Sequence, residues 1–263
     1  MSTESIKYTE INTEYKQLDY ENSKSLIEFI DKYINDTRGN VSALVDKATK
    51  KHEKLLAEIS RTETMYSFED KYRGLGNEFI CGIDEVGRGP LAGPVVATAI
   101  ILPKNERILY LNDSKQLSKK KREELYDIIL DKAIACGIGV VSEQIIDEIN
   151  ILQATYKAMQ IAINNLKVKP DILLNDAVKI PDIDIRQVPI IKGDTLSASI
   201  AAASIVAKVT RDRMMEEYDK IYPGYDFGKS SGYGTANHIK KLKEDGPCEI
   251  HRKSFLKKIL NQE

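Results

Sequence analysis

Apolar residues recur at helical spacing through the first part of the chain. Leu26, Ile27, Phe29, Ile30, Tyr33 and Ile34 form one stripe, and after the Gly39-Asn40 break residues 41–59 repeat the pattern. Only Gly39 and Gly74 interrupt residues 1–75, which contain no proline. The pattern predicts a helical hairpin with a solvated outer face, an N-terminal helical extension over 1–75. From Asn77 the texture changes. Residues 79–84 predict a buried strand, a turn rich in glycine and proline follows (Gly87, Gly89, Pro90, Gly93, Pro94), and 95–102 predicts a second strand. Ser118 predicts an N-cap for a helix reaching residue 135, and 137–141 a third strand. Helical patterns cover 143–149 and 151–167; strands are expected at 171–175 and 187–192, and a long helix at 196–220. The first half of that helix is Ala/Ser-rich, which suits close packing on a sheet. A glycine- and tyrosine-rich loop at 222–235 and short helices at 236–244 and 253–261 complete the chain. Three strands followed by strands alternating with helices predict an α/β fold with a mixed sheet flanked by helices.

Composition narrows the class without choosing a function. Of 263 residues, 42% are hydrophobic, enough for a packed core. No run approaches the ~20 apolar residues of a membrane span, and the start MSTESIKYTE lacks a secretory apolar region, so no membrane association is expected. Three scattered cysteines (Cys81, Cys136, Cys248) suggest reduced thiols in a cytoplasmic protein rather than a disulfide scaffold. The net charge of -1 neither requires nor excludes nucleic acid; a polyanion would need the basic residues gathered on one face. Such a gathering occurs near the end, at Lys240, Lys241, Lys243, Arg252, Lys253, Lys257 and Lys258, with Glu244, Asp245 and Glu249 interspersed.

Three predicted strands end in acids. Asp84 and Glu85 follow the first, Asp176 follows Ile172-Leu173-Leu174-Asn175, and Asp194 follows Lys192-Gly193. A carboxylate emerging from an apolar run is costly unless a cation or hydrogen bonds compensate it. For Asp84 and Glu85 to share a site the strand must end or bend there, which Gly87 and Gly89 permit. Clustered carboxylates without histidine or cysteine ligands favour Mg²⁺ or Mn²⁺ over zinc, and two such ions can clamp a phosphodiester. Each acid taken singly is equally at home as a helix cap or turn residue. Gly87-Arg88-Gly89 would let backbone approach a ligand while Arg88 meets a phosphate. No G-x-x-x-x-G-K-[ST] loop is present, which disfavours a P-loop nucleotidase. Tyr233, between Gly232 and Gly234, is placed either to stack on a sugar or base or simply to sit on a turn. His52, His238 and His251 show no ligand spacing and are expected to be structural or on the surface.

Together these segments resemble bacterial ribonuclease HII, the type 2 ribonuclease H family. The resemblance is carried by residues 81–95 (CGIDEVGRGPLAGPV), then by Asn112-Asp113-Ser114-Lys115-Gln116-Leu117, Lys192-Gly193-Asp194, residues 201–212 and His251-Arg252-Lys253-Ser254-Phe255. It spans about 77–256 in order. It implies a ribonuclease H-like catalytic domain over 76–263, whose C-terminal helical part is about 222–263. It also implies an endoribonuclease that hydrolyses RNA in RNA–DNA hybrids and cuts 5′ of ribonucleotides embedded in duplex DNA, with roles in DNA replication and repair. The products expected are a 3′-hydroxyl and a 5′-phosphate. By resemblance Asp84, Glu85, Asp176 and Asp194 are catalytic and bind Mn²⁺ or Mg²⁺. Gly87, Arg88 and Gly89 would read the 2′-hydroxyl, Tyr233 would stack on the following deoxyribose, and Lys115 and Lys192 would contact substrate. A monomer is expected. Lys229-Ser230-Ser231 stands where many relatives have a His-Lys pair before the glycine, which points to a weaker backbone contact there. The third-acid segment has Asn where the family often has Val, and Arg88 rather than Lys sets the chain apart from ribonuclease HIII.

Overall fold

The computed structural model describes residues 6–260. The chain divides into two compact units, Met1–Glu63 and Thr64–Glu263.

The first unit is helical: α1 (Tyr8–Gln17), α2 (Ser23–Tyr33) and most of α3 (Gly39–Met65). Asn22 caps α2 by accepting from the Lys24 and Ser25 N–H groups. Ile11, Tyr15, Leu26, Phe29, Tyr33, Val41 and Leu44 are buried, with the Tyr15–Phe29 and Phe29–Tyr33 ring centroids 5.6 and 5.0 Å apart. The predicted hairpin is therefore incomplete. The apolar pair Ile11 and Tyr15, at i,i+4 spacing, builds a further helix in a stretch too polar to announce one.

The second unit opens with α4 (Ser67–Gly74). It continues through β1 (Ile80–Val86), β2 (Val95–Ile101), α5 (Lys119–Lys132), β3 (Ala135–Val141), α6 (Glu143–Asn164), β4 (Ile172–Asp176) and β5 (Arg186–Ile190). Then come α7 (Gly193–Leu196), α8 (Ala198–Ile221), α9 (Phe227–Ser230), α10 (Ala236–Asp245) and α11 (Lys253–Leu256). The five strands form one sheet in the order β3-β2-β1-β4-β5, antiparallel on the β3-β2-β1 side and parallel from β1 through β4 to β5. The expected mixed α/β sheet is present.

Strand alternation sorts the core into two layers. Cys81, Ile83, Ala97, Ala99, Ile101 and Leu173 pack with Ala154, Ala158, Met159 and Ala162 of α6. On the other face Ile100 packs with α5 and α8 side chains, while Ile80, Ile172 and Leu174 pack with Ile200 of α8 and Tyr72 of α4. A Cβ at Gly82 would collide with the Ser199 backbone, so only glycine lets α8 lie this close to β1. Ser118 caps α5 as expected, accepting from the Lys121 N–H, but the helix stops at Lys132 because Ala135 already begins β3. The predicted break between 149 and 151 is visible as Asn150, with φ 67°, whose side chain accepts from Leu152 and Gln153 N–H groups. The loop at 222–235 contains the short helix α9. The last helix is shorter than predicted, ending at Leu256, and residues 261–263 lie outside the described chain. No helix among the described residues is long and apolar enough to cross a membrane.

Candidate active site

The same alternation aims the acids. On β1, Ile83 faces α6, so Asp84 faces α8; on β4, Leu174 faces the α8 side, and so does Asp176 two residues on. Ile83 is paired with Asn175 in the parallel register, so Asp84 and Asp176 leave neighbouring strands, about 4.8 Å apart in a typical sheet, at the same level. Asp84 is buried and its Oδ1 accepts the Glu85 N–H at 2.8 Å. Its carboxyl is pushed well above the ordinary carboxylate range, chiefly by burial and then by the charge of Glu85. A hydrogen bond from the Ser204 hydroxyl works against this, and Asp176 adds to it. The strand does not end at Asp84 but runs on to Val86. Glu85, one carbon longer than Asp84, nonetheless couples to it and to Asp176. Burial raises its carboxyl and Arg88, 3.2 Å away, holds it back. Asp194, on α7, is likewise raised by burial, then by Asp176 and Asp113, with Lys115 opposing. The Gly193 N–H donates to Asp176 Oδ1 at 2.8 Å, tying the α7 turn to β4.

The four acids thus share one electrostatic neighbourhood centred on Asp176, although only Asp176 ends a strand: Asp84 and Glu85 lie within β1, and Asp194 on α7 past the end of β5. Within it Arg88 and Lys115 offset the negative charge. Among the described residues no three acids, histidines or cysteines stand as a ready-made metal cage. The donor chemistry still fits a hard divalent cation: oxygens only, partly desolvated, with Asp176 raising the proton affinity of Asp84, Glu85 and Asp194. A cation would turn that mutual repulsion into attraction.

Beside the acids, the turn after β1 is held by two fully buried arginines. Arg211 of α8 donates through Nε to the Pro94 carbonyl (2.8 Å), through Nη1 to Ser231 (2.8 Å) and through Nη2 to Ala92 (3.0 Å). Arg252 donates through Nε and Nη2 to Gly93 (2.9 and 2.7 Å), through Nη1 to Arg88 (3.0 Å) and through Nη2 to Gly87 (2.6 Å). Burial lowers the pKa of Arg211 to about 10 and that of Arg252 to about 9. Gly87 has φ +92°, and a Cβ there would collide with Arg211 Nε. Tyr233 is brought to this turn: a Cβ on Gly89 would lie 3.4 Å from its ring, and the ring is half exposed. The Tyr233 carbonyl is held by a buried chain. The Cys248 N–H donates to His251 Nδ1 (3.0 Å), which places the His251 proton on Nε2, facing His238 Nε2 at 3.0 Å. His238 then carries its proton on Nδ1 and donates to the Tyr233 carbonyl at 2.8 Å.

His238 and His251 are structural, as expected, buried and facing each other through their Nε2 atoms, while His52 meets Ser23 on the helical unit. Arg252 is buried under the turn, not part of a basic surface, and Lys240 and Lys241 are paired with Glu244 and Asp245. Lys115 stands beside Asp194; Lys192 is exposed in a left-handed turn directly before it. Asp113, Ser204, Arg211 and Glu69 went unnoticed in the sequence. Asp113, Ser204 and Arg211 lie inside segments already singled out, and only the three-dimensional contact reveals their part.

Residues 81–258 match the family model described as Ribonuclease HII, and residues 9–73 match that of the Ribonuclease HII N-terminal domain. A relative from Lachnoclostridium phytofermentans named Ribonuclease HII is 58% identical over 97% of this chain and 98% of its own. Another of that name from Acetivibrio thermocellus is 54% identical over 84% and 86%. The crystal structure of ribonuclease H2 from Pyrococcus horikoshii is similar with a TM-score of 0.56 and 26% identity, covering 70% of this chain and 97% of that one.

Proposed function

The chain belongs to the ribonuclease HII family, and we propose that it carries out the family's reaction with Asp84, Glu85, Asp176 and Asp194 gathered around Mg²⁺ or Mn²⁺. It is an endoribonuclease of the type 2 ribonuclease H class, dependent on divalent metal, acting on the RNA of RNA–DNA hybrids and at ribonucleotides embedded in DNA. The observation that carries the residue assignment is the register that sets Asp84 and Asp176 side by side on one face of the sheet. Asp84 and Asp176 would hold the metal, with Glu85 and Asp194 as the further carboxylates available to it. Bound there, the ion supplies Lewis acidity to the phosphodiester and to the attacking water. The Gly87-Arg88-Gly89 turn contributes rigidity: its carbonyls are drawn onto Arg252, which leaves it positioned to meet the 2′-hydroxyl that separates RNA from DNA. Tyr233 stacks on the following deoxyribose, and Lys115 and Lys192 meet the backbone phosphates. Cleavage falls on the 5′ side of the ribonucleotide and leaves a 3′-hydroxyl and a 5′-phosphate. The enzyme works as a monomer in the cytoplasm.

Duplex DNA carrying one ribonucleotide, incubated with Mg²⁺ or Mn²⁺, tests this. One cut 5′ of the ribonucleotide is expected, with none in all-DNA duplex or after chelation. Equal cutting of all-DNA duplex would remove the ribose-reading role from the turn.

A further inference from the structure

Glu69 is fully buried on α4, inside the stretch matching the N-terminal domain model, yet it lies in the compact unit that contains the sheet. Its Oε1 accepts three hydrogen bonds from the start of α8, a helix of 24 residues: Ser197 Oγ at 2.6 Å, Ser199 N at 2.9 Å and Ser199 Oγ at 2.6 Å. Its Oε2 is buried with no hydrogen-bond partner, and no cation among the described residues pairs with it. An ionised carboxylate in such a place is costly unless donors and a helix N-terminus compensate. Around it, Phe68 and Tyr72 pack against Ile80, Ile172, Ile190 and Ile200, so α4 is fastened to the sheet on both sides of the acid.

The bonds continue toward the metal-binding acids. Ser197 is the N-cap of α8, accepting from the Ile200 N–H. Its own N–H donates to the Gly193 carbonyl at 2.8 Å, and the Gly193 N–H donates to Asp176 Oδ1 at 2.8 Å. Asp194 sits between these anchors, on the four-residue turn α7. We propose that Glu69 is a positioning residue for the catalytic centre: through Ser197 and Ser199 it fixes the start of α8, and through Gly193 the placement of Asp176 and Asp194 toward the divalent cation. The last helix of the N-terminal domain is then a working part of the nuclease. The inference rests on the reading of Asp176 and Asp194 as metal ligands.

The test is Mn²⁺ binding to the full chain, measured by the electron paramagnetic resonance of free Mn²⁺, together with steady-state kinetics on a single-ribonucleotide duplex. Glu69→Leu, confirmed folded by circular dichroism, should bind Mn²⁺ about tenfold or more weakly, the loss typical when a partner behind a ligand is removed. Its kcat should fall in parallel and its KM for the duplex should stay close to wild type. Glu69→Gln keeps an oxygen acceptor toward both serines and should retain most of the affinity. A residue that only stabilised the fold would lower the melting temperature and leave Mn²⁺ affinity unchanged below it; that result in folded Glu69→Leu overturns the proposal. Should Glu69→Leu not fold, Ser199→Ala decides: a weaker Mn²⁺ affinity supports the relay, and an unchanged one overturns it. Asp176→Asn separates this from the underlying reading. If Asp176→Asn binds Mn²⁺ and turns over normally, the metal assignment itself fails; if it loses both while Glu69→Leu loses neither, only the role of Glu69 fails.

Discussion

At the scale of single residues, the buried chain from Cys248 through His251 and His238 to Tyr233 constrains protons as well as positions. Each ring nitrogen already has its role, so an added proton on His251 Nδ1 would face the Cys248 N–H, and one on His238 Nε2 would face the His251 proton. Burial and the neighbouring His238 accordingly lower the His251 pKa to about 4, from an ordinary value of 6.5. Because the folded value is the lower one, the unfolded chain binds the extra proton between pH 6.5 and 4, and stability falls as pH drops through that window. His251 contributes up to about 1.4 kcal/mol per pH unit to that fall. His251→Gln has no such proton to gain. The stability advantage of the wild-type chain over this variant should therefore be largest at pH 8 and shrink by pH 5, as measured by denaturant unfolding at both. The double difference cancels the opposing contribution of the raised carboxyls of Asp84, Glu85 and Asp194. An advantage independent of pH would mean that His251 is not held neutral by its partners.

At the scale of elements, the acids were legible because their signal is local: an apolar strand ending in a carboxylate needs only a few consecutive residues to be seen. The glycine turn and the Asn150 break were legible for the same reason. What the sequence concealed lies in pairings between distant elements. Glu69 meets Ser197 at a separation of 128 residues, and Arg252 meets Gly87 at 165; no periodicity reports such contacts. Arg252 looked like one more surface cation because its lysine neighbours are exposed, while its own side chain turns inward to carbonyls. The turn they enclose has no slack. Gly87→Ala would place a methyl group against Arg211 in a left-handed backbone conformation, at a cost of about 1–3 kcal/mol. With half of that strain falling on substrate recognition, kcat/KM on a single-ribonucleotide duplex drops about two- to tenfold. Mn²⁺ affinity should be unchanged, and a parallel loss of metal binding would show that turn and acids are not separable parts.

At the scale of the whole molecule, the proposed role of Glu69 puts the boundary for catalysis at α4. A chain shortened to begin at Thr64 keeps Glu69 and the apolar side chains around it, whereas one beginning at Leu75 loses them. Compared as folded proteins in single-turnover cleavage, the first should retain the chemical step and the second should lose most of it. Equal rates in both would return α4 to the role of packing alone. The two arginines under the Gly87-Arg88-Gly89 turn also impose an order on the molecule's assembly. The last of the four acids comes at residue 194 along the chain, but the turn stays unclamped until Arg211, Ser231 and finally Arg252 have followed. With the roles proposed above, a C-terminally clipped chain would keep all four carboxylates and lose the clamp on the turn proposed to read ribose, so discrimination is the last property this polypeptide acquires.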